Sequence, residues 1–301
     1  HRFASATSEE ERVKWVGVLI ELDDPGYKSL AAPFRSEDEA RCQDLTAAIL
    51  TCMEAREPTD PVCDSLGIAL LDDRASFSPA GRAACLELVP CLLRTPDAGL
   101  TNRIREMVRA ELRDANSTGK VQAIRMAMHP RLALRGEISG LLHDPDAEVR
   151  RAVLLAVGPS SPDRASHLAD EALFALLRDP DAEVRDLCRL TLRGRGLNPE
   201  QLIMAEKLVH PDPSERLQLL MDLSFPSDAI KDISPWLERL SRDADPAVRL
   251  GAVRVAVESR LVYASWIERM AESDPDPLVR QVSRYYRRLA NTIRPAGFKK
   301  E

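Results

Sequence analysis

Six arginines, Arg125, Arg189, Arg193, Arg254, Arg284 and Arg288, stand eight, nine or twelve residues behind an Asp or Asn that opens an apolar run. A guanidinium stays charged and presents a planar fork of donors, so a row of them can pair bidentately with carboxylates or phosphates. That is recognition chemistry, suited to an acidic or phosphorylated segment of another protein. Catalytic patterns are missing: the chain has no H-E-x-x-H, no Gly-rich phosphate loop and no G-x-S-x-G. The five histidines are His1, His129, His143, His167 and His210. His143 and His210 are read at helix ends, in the place of Arg178 and Arg242 in sister copies, where a donor suits the dipole. Cys42, Cys52, Cys63, Cys85, Cys91 and Cys188 contain no C-x-x-C pair, so they are expected to be buried free thiols in a reducing, cytoplasmic compartment. No catalytic residue, metal ligand or cofactor is assigned.

Arginines at such spacings need a regular framework, and the chain repeats one. "DPDAEVRRAVLLAV" begins at residue 144, "DPDAEVRDLCRLTL" at 179, "DADPAVRLGAVRVAV" at 243 and "DPDPLVRQVSRYYRRL" at 274, with a degenerate "HPDPSERLQLLMDL" at 210. An Asp precedes an Arg by four residues in all five: Asp146 and Arg150, Asp181 and Arg185, Asp212 and Arg216, Asp245 and Arg249, Asp276 and Arg280. Asn116 before Lys120 and Ser78 before Arg82 extend the register towards the N-terminus. The positions 78, 116, 146, 181, 212, 245 and 276 are 38, 30, 35, 31, 33 and 31 residues apart, a period typical of stacked helix pairs. Asp, Asn or Ser there is an N-cap, stabilising a helix by about 1 kcal/mol. The prolines ahead of several caps stop the preceding helix. Behind each cap, apolar residues recur at helical spacing, as in Val149, Ala152, Val153 and Ala156. A second helical segment lies between caps, at 135–144, 167–179, 199–210, 233–243 and 263–274. "EEERVKWVGVLIELD", "EDEARCQDLTAAILTCMEA", "VCDSLGIALLDD" and "GRAACLELVPCLLR" extend the helical reading forward, so the stack is expected to begin near residue 9.

Composition agrees with packed helices. The 301 residues are 44% hydrophobic but 4% aromatic, so the core is built from small aliphatic side chains. No apolar run approaches the roughly 20 residues a membrane span needs. Net charge is −6, which argues against a protein devoted to nucleic acid. The charge is uneven, with 18 acidic and 10 basic side chains in residues 1–100. Arg280, Arg284, Arg287, Arg288, Arg294, Lys299 and Lys300 make the far end basic. The chain opens on His1 rather than Met, which leaves room for a signal or anchor ahead of it.

The motif "DPDAEVRRAVLLAV" resembles the HEAT repeat, in the short form of bacterial HEAT proteins and phycobilin lyases. The resemblance is clear over 114–289 and weaker over 37–113. It implies an all-α fold: an α-solenoid of stacked helix pairs forming a curved superhelix. The expected organisation is a single domain, 1–301, with divergent helical repeats at 9–113, regular repeats at 114–289 and a basic tail at 290–301. It further implies a ladder along the stack made by the five Asp–Arg pairs, with the six recognition arginines on the concave face. The copy at 210–223 carries Glu215 where the others have valine, which suggests a rotated or opened unit. HEAT-like hydroxylases bind iron through His-Glu dipeptides, and none occurs here. HEAT-like DNA glycosylases use aromatic, basic clefts, whereas Trp15, Trp236 and Trp266 are dispersed and Trp236 and Trp266 read as packing residues. The resulting expectation is a non-catalytic scaffold or adaptor for a protein partner. The alternative is a nucleic-acid-binding HEAT protein that uses the same arginines and the basic end.

Overall fold

The computed structural model describes residues 8–114, 117–158, 167–225, 232–259, 261 and 265–293. Among them the chain is all-α, without a strand, and it packs as two compact units, His1–Gly158 and Pro159–Glu301. The Asn116 cap and residues 294–301 of the basic tail lie outside the described residues.

The first unit contains α1 (Glu9–Ile20), α2 (Asp23–Ala31), α3 (Glu39–Glu54), α4 (Pro61–Asp73), α5 (Pro79–Leu86), α6 (Val89–Leu92), α7 (Ala98–Arg113), α8 (Ser117–Ala127) and α9 (Ala147–Ala156). Helices α1, α3, α5, α8 and α9 pack successively in one row, and α2, α4 and α7 pack successively in a second. The second unit contains α10 (His167–Leu176), α11 (Ala182–Gly194), α12 (Pro199–Leu208), α13 (Pro213–Leu223), α14 (Ser234–Leu240), α15 (Pro246–Glu258), α16 (Ser265–Ser273) and α17 (Pro277–Ile293). Here α10 pairs with α11, α12 with α13, α14 with α15 and α16 with α17, while α13, α15 and α17 stack in order.

The caps explain where these helices start. Asp146 Oδ1 accepts from the Glu148 amide at 2.8 Å, Asp181 from Val184 at 2.9 Å, Asp212 from Ser214 at 2.9 Å and Asp245 from Ala247 at 2.8 Å. Asp276 accepts from Leu278 at 2.8 Å, and Ser78 Oγ accepts from Gly81 at 2.9 Å. Each bond satisfies a donor that the first helical turn leaves without a partner. Behind the caps, Val149, Val153, Val184, Cys188, Val248, Ala252 and Val253 are wholly buried, so the expected apolar stripe is the packed face. In the second unit that face joins Leu219, Leu220, Leu223, Leu237, Trp266 and Ile267 in one core. Trp266 is buried there, and Trp236 stacks on Phe174 with ring centroids 6.1 Å apart.

Three local outcomes differ from the sequence reading. Segment 135–144 forms only a 3-10 helix, Ile138–His143, because Gly136 and Gly140 raise the entropic cost of a longer helix. The stretch "GRAACLELVPCLLR" divides into α5 and the single turn α6, with Pro90 at the start of the second piece. The unit at 210–223 keeps its cap and accommodates Glu215 by leaving it exposed, while Leu219, Leu220 and Leu223 carry the buried face.

Candidate partner-binding site

The arginine four residues after each cap folds back over its own loop. Arg150 Nη1 donates to the carbonyls of Asp144 and Pro145 at 2.7 and 3.0 Å, and Arg185 Nη1 to those of Asp179 and Pro180 at 2.7 and 3.1 Å. Arg249 Nη1 does the same with Asp243 and Ala244 at 2.8 and 3.0 Å. Arg216 and Arg280 bind the equivalent carbonyls of His210 and Pro211, and of Asp274 and Pro275. These carbonyls lie in the turn just ahead of the cap, where no helical hydrogen bond is available to them.

The remaining nitrogens of Arg216 and Arg249 reach the next repeat. Arg216 Nε and Nη2 grip Asp243 at 2.7 and 3.0 Å, and Arg249 Nε and Nη2 grip Asp274 at 2.9 and 2.8 Å. In the first unit Lys120 Nζ meets Asp144 at 2.7 Å. Between these repeats of the second unit the ladder therefore runs through Asp243 and Asp274, contrary to the expectation for Asp245 and Asp276. Its acid is the aspartate two residues earlier, Asp144, Asp243 or Asp274, which also accepts from the amide of the following cap residue at 2.8–2.9 Å; Asp179 makes the same local bond with the Asp181 amide at 2.9 Å. The signal was present in the sequence as D-x-D-x-x-x-R.

The Arg249–Asp274 pair is nearly closed to solvent, with side-chain exposures of 8% and 3%. Burial works against the Asp274 carboxylate, but the hydrogen bonds from Arg249 and the Asp276 amide outweigh it and hold its pKa below the usual range. Hydrogen bonding to Asp274 correspondingly raises the pKa of Arg249. His210 occupies this acid position and not the one assigned to it, two residues before its cap where Arg178 and Arg242 stand three before theirs. Its Nδ1 accepts from the Asp212 amide at 3.1 Å. The ring thus replaces the aspartate's local bond and brings no carboxylate for a neighbouring arginine.

The six candidate arginines separate by environment. Arg189 is committed, with Nε 2.9 Å from Glu206 and Nη1 3.1 Å from Asp186, and its hydrogen bond to Glu206 raises its pKa. Arg254 lies 3.4 Å from Glu258 with both side chains more than half exposed, a pair that contributes about 0–1 kcal/mol. Arg284 gives Nε to the Ala271 carbonyl at 2.8 Å and is otherwise exposed. Arg193 and Arg288 are exposed, and Arg193 makes no ion pair with the described residues. Arg125 is exposed in the first unit and touches Gln122 at 3.4 Å. Arg254 and Arg284 lie on α15 and α17, which pack together.

The cysteines lie mostly away from solvent. All six are free, five are buried, and burial pushes the thiols of Cys85 and Cys188 up to about 12. Among the described residues no cluster of three or more His, Cys, Asp and Glu side chains is placed to hold a metal ion, and no helix is long and apolar enough to cross a membrane.

No family model and no curated protein matches the chain. Among solved structures, a crystal structure of an engineered protein aligns over 96% of each chain at 16% identity, with a TM-score of 0.36.

Proposed function

We propose that the chain is a HEAT-like α-solenoid that acts without catalysis as a scaffold, binding an acidic or phosphorylated segment of a partner protein through arginines of its capped helices. The observation that carries this reading is a division among the arginines. Those four residues after a cap are consumed by loop carbonyls and ladder carboxylates, whereas Arg193, Arg254 and Arg284 keep their guanidinium groups at the surface. Surface cations on a repetitive framework suit an extended partner better than a small molecule.

The test is affinity capture from lysate of the source organism, with and without nuclease, using wild type and an Arg193→Glu, Arg254→Glu, Arg284→Glu variant checked for folding. A nuclease-resistant protein held by wild type and lost by the variant is the expected result. Equal capture by both proteins removes the arginines from the site. Capture abolished by nuclease and falling steeply with salt would replace the protein partner by nucleic acid.

A further inference from the structure

The ninth residue after six of the seven cap positions sits outside the packed stripe and at the surface; Glu87, nine after Ser78, is half-buried. Along six copies it is Arg125, Leu155, Leu190, Met221, Arg254 and Tyr285, all exposed. A single exposed apolar side chain needs no explanation, but recurrence at one register position of stacked helices makes a patch. The second unit shows it best, because α13, α15 and α17 pack successively and the Arg216–Asp243 and Arg249–Asp274 pairs fix their register. Across these three helices run Met221, 54% exposed, then Arg254, then Tyr285, 61% exposed. Phe225, two residues past the end of α13, is 71% exposed, and Arg284 adjoins Tyr285 in the chain.

We propose that this face docks an amphipathic acidic helix of a partner protein, with apolar side chains on Met221 and Phe225 at one end and on Tyr285 at the other, and carboxylates on Arg254 and Arg284. The inference rests on the partner-binding reading above and adds the chemistry of the partner. Charge complementarity selects an acidic occupant, since the cations between and beside the apolar anchors would repel a basic helix. Spacing selects its length. Adjacent packed helices lie about 8–10 Å apart, so the two apolar ends are separated by about 20 Å. At 1.5 Å per residue a helix covers that in about 14 residues, placing an acidic position midway, about seven residues from each anchor.

The experiment is calorimetric titration of the full chain with three synthetic helical peptides of about 20 residues. The first carries leucines at the two anchor positions and glutamates between them; the second replaces the leucines by serine; the third replaces the glutamates by lysine. The first is expected to bind at least about tenfold more tightly than the second, a difference of about 1.4 kcal/mol, and the third not to bind. Met221→Ser with Tyr285→Ser should remove that advantage, while Leu278→Ser, an exposed site at a different register of α17, should leave it intact. Equal binding of the first two peptides, or indifference to the Met221 and Tyr285 changes, overturns the apolar anchors. If those equal affinities still fall in an Arg254→Glu, Arg284→Glu variant, the arginine-based reading survives alone. No binding of the first peptide at concentrations up to about 1 mM overturns the inference, whatever the capture experiment returns.

Discussion

Replacing Arg249 by methionine removes the most enclosed ion pair of the ladder. Met keeps most of the aliphatic stem, so the change deletes two bonds to Asp274, at 2.9 and 2.8 Å, and two to the Asp243 and Ala244 carbonyls. It leaves Asp274, whose side chain is 3% exposed, with the Asp276 amide at 2.9 Å as the remaining donor described for it. Removing one partner of a buried pair costs about 3–5 kcal/mol, because the other charge stays desolvated. Urea unfolding followed by fluorescence of Trp236 and Trp266, with Trp15 changed to Phe, reports on the second unit. The Arg254→Met control should cost at most about 1 kcal/mol, since its partner pair is exposed. An Arg249→Met, Asp274→Asn double variant should lose less than the sum of the two single changes. The pH dependence follows from the lowered pKa of Asp274. Its contribution is fully present above the unfolded value near 3.9 and is lost as pH falls through the lower folded value, and Asp274→Asn removes this component. A cost below about 1 kcal/mol for Arg249→Met would refute the assignment of the pair as a structural tie.

Other consequences follow from close contacts and burial. A Cβ on Gly81 would lie 1.8 Å from the Phe34 carbonyl oxygen, so Gly81→Ala should destabilise the first unit by more than about 3 kcal/mol in thermal or urea unfolding, whereas Gly140→Ala, with open space around it, should not destabilise. His210→Asp restores the D-x-D-x-x-x-R pattern and should raise the urea midpoint of the second unit by an amount equivalent to about 1 kcal/mol; an unchanged or lower midpoint would show that the imidazole is the better partner there. Cys85 and Cys188, with thiols pushed up to about 12, should resist a thiol reagent at pH 8 in the native protein and react on unfolding; rapid native labelling of either would contradict their burial.

The sequence disclosed the framework because capping chemistry is local. Asp146, Asp181, Asp212, Asp245, Asp276 and Ser78 cap the helices expected of them, since the cap bond spans only two or three residues. Segment 135–144 was misjudged because its apolar period resembles that of its neighbours while two glycines alter the local backbone cost. The ladder acids were hidden for another reason. Asp144, Asp243 and Asp274 sit beside better-known cap residues, and their partners come from another repeat, 24 residues away for Lys120 and Asp144, 27 for Arg216 and Asp243 and 25 for Arg249 and Asp274. The candidate arginines were chosen by register, but register does not reveal that Arg189 meets Glu206, 17 residues along the chain. Met221 and Tyr285 escaped notice because exposure of an apolar residue is decided by neighbouring helices, which one helical period does not specify.

The division of labour among the arginines meets its most direct test in one crossed comparison of Arg249→Met and Arg254→Glu, measuring unfolding midpoint and partner capture per folded molecule for each. The first variant should lose stability by about 3–5 kcal/mol and retain capture, while the second should keep wild-type stability and lose capture. Loss of capture in both, or stability lost in the Arg254 variant, would contradict the separation of structural from recognition arginines.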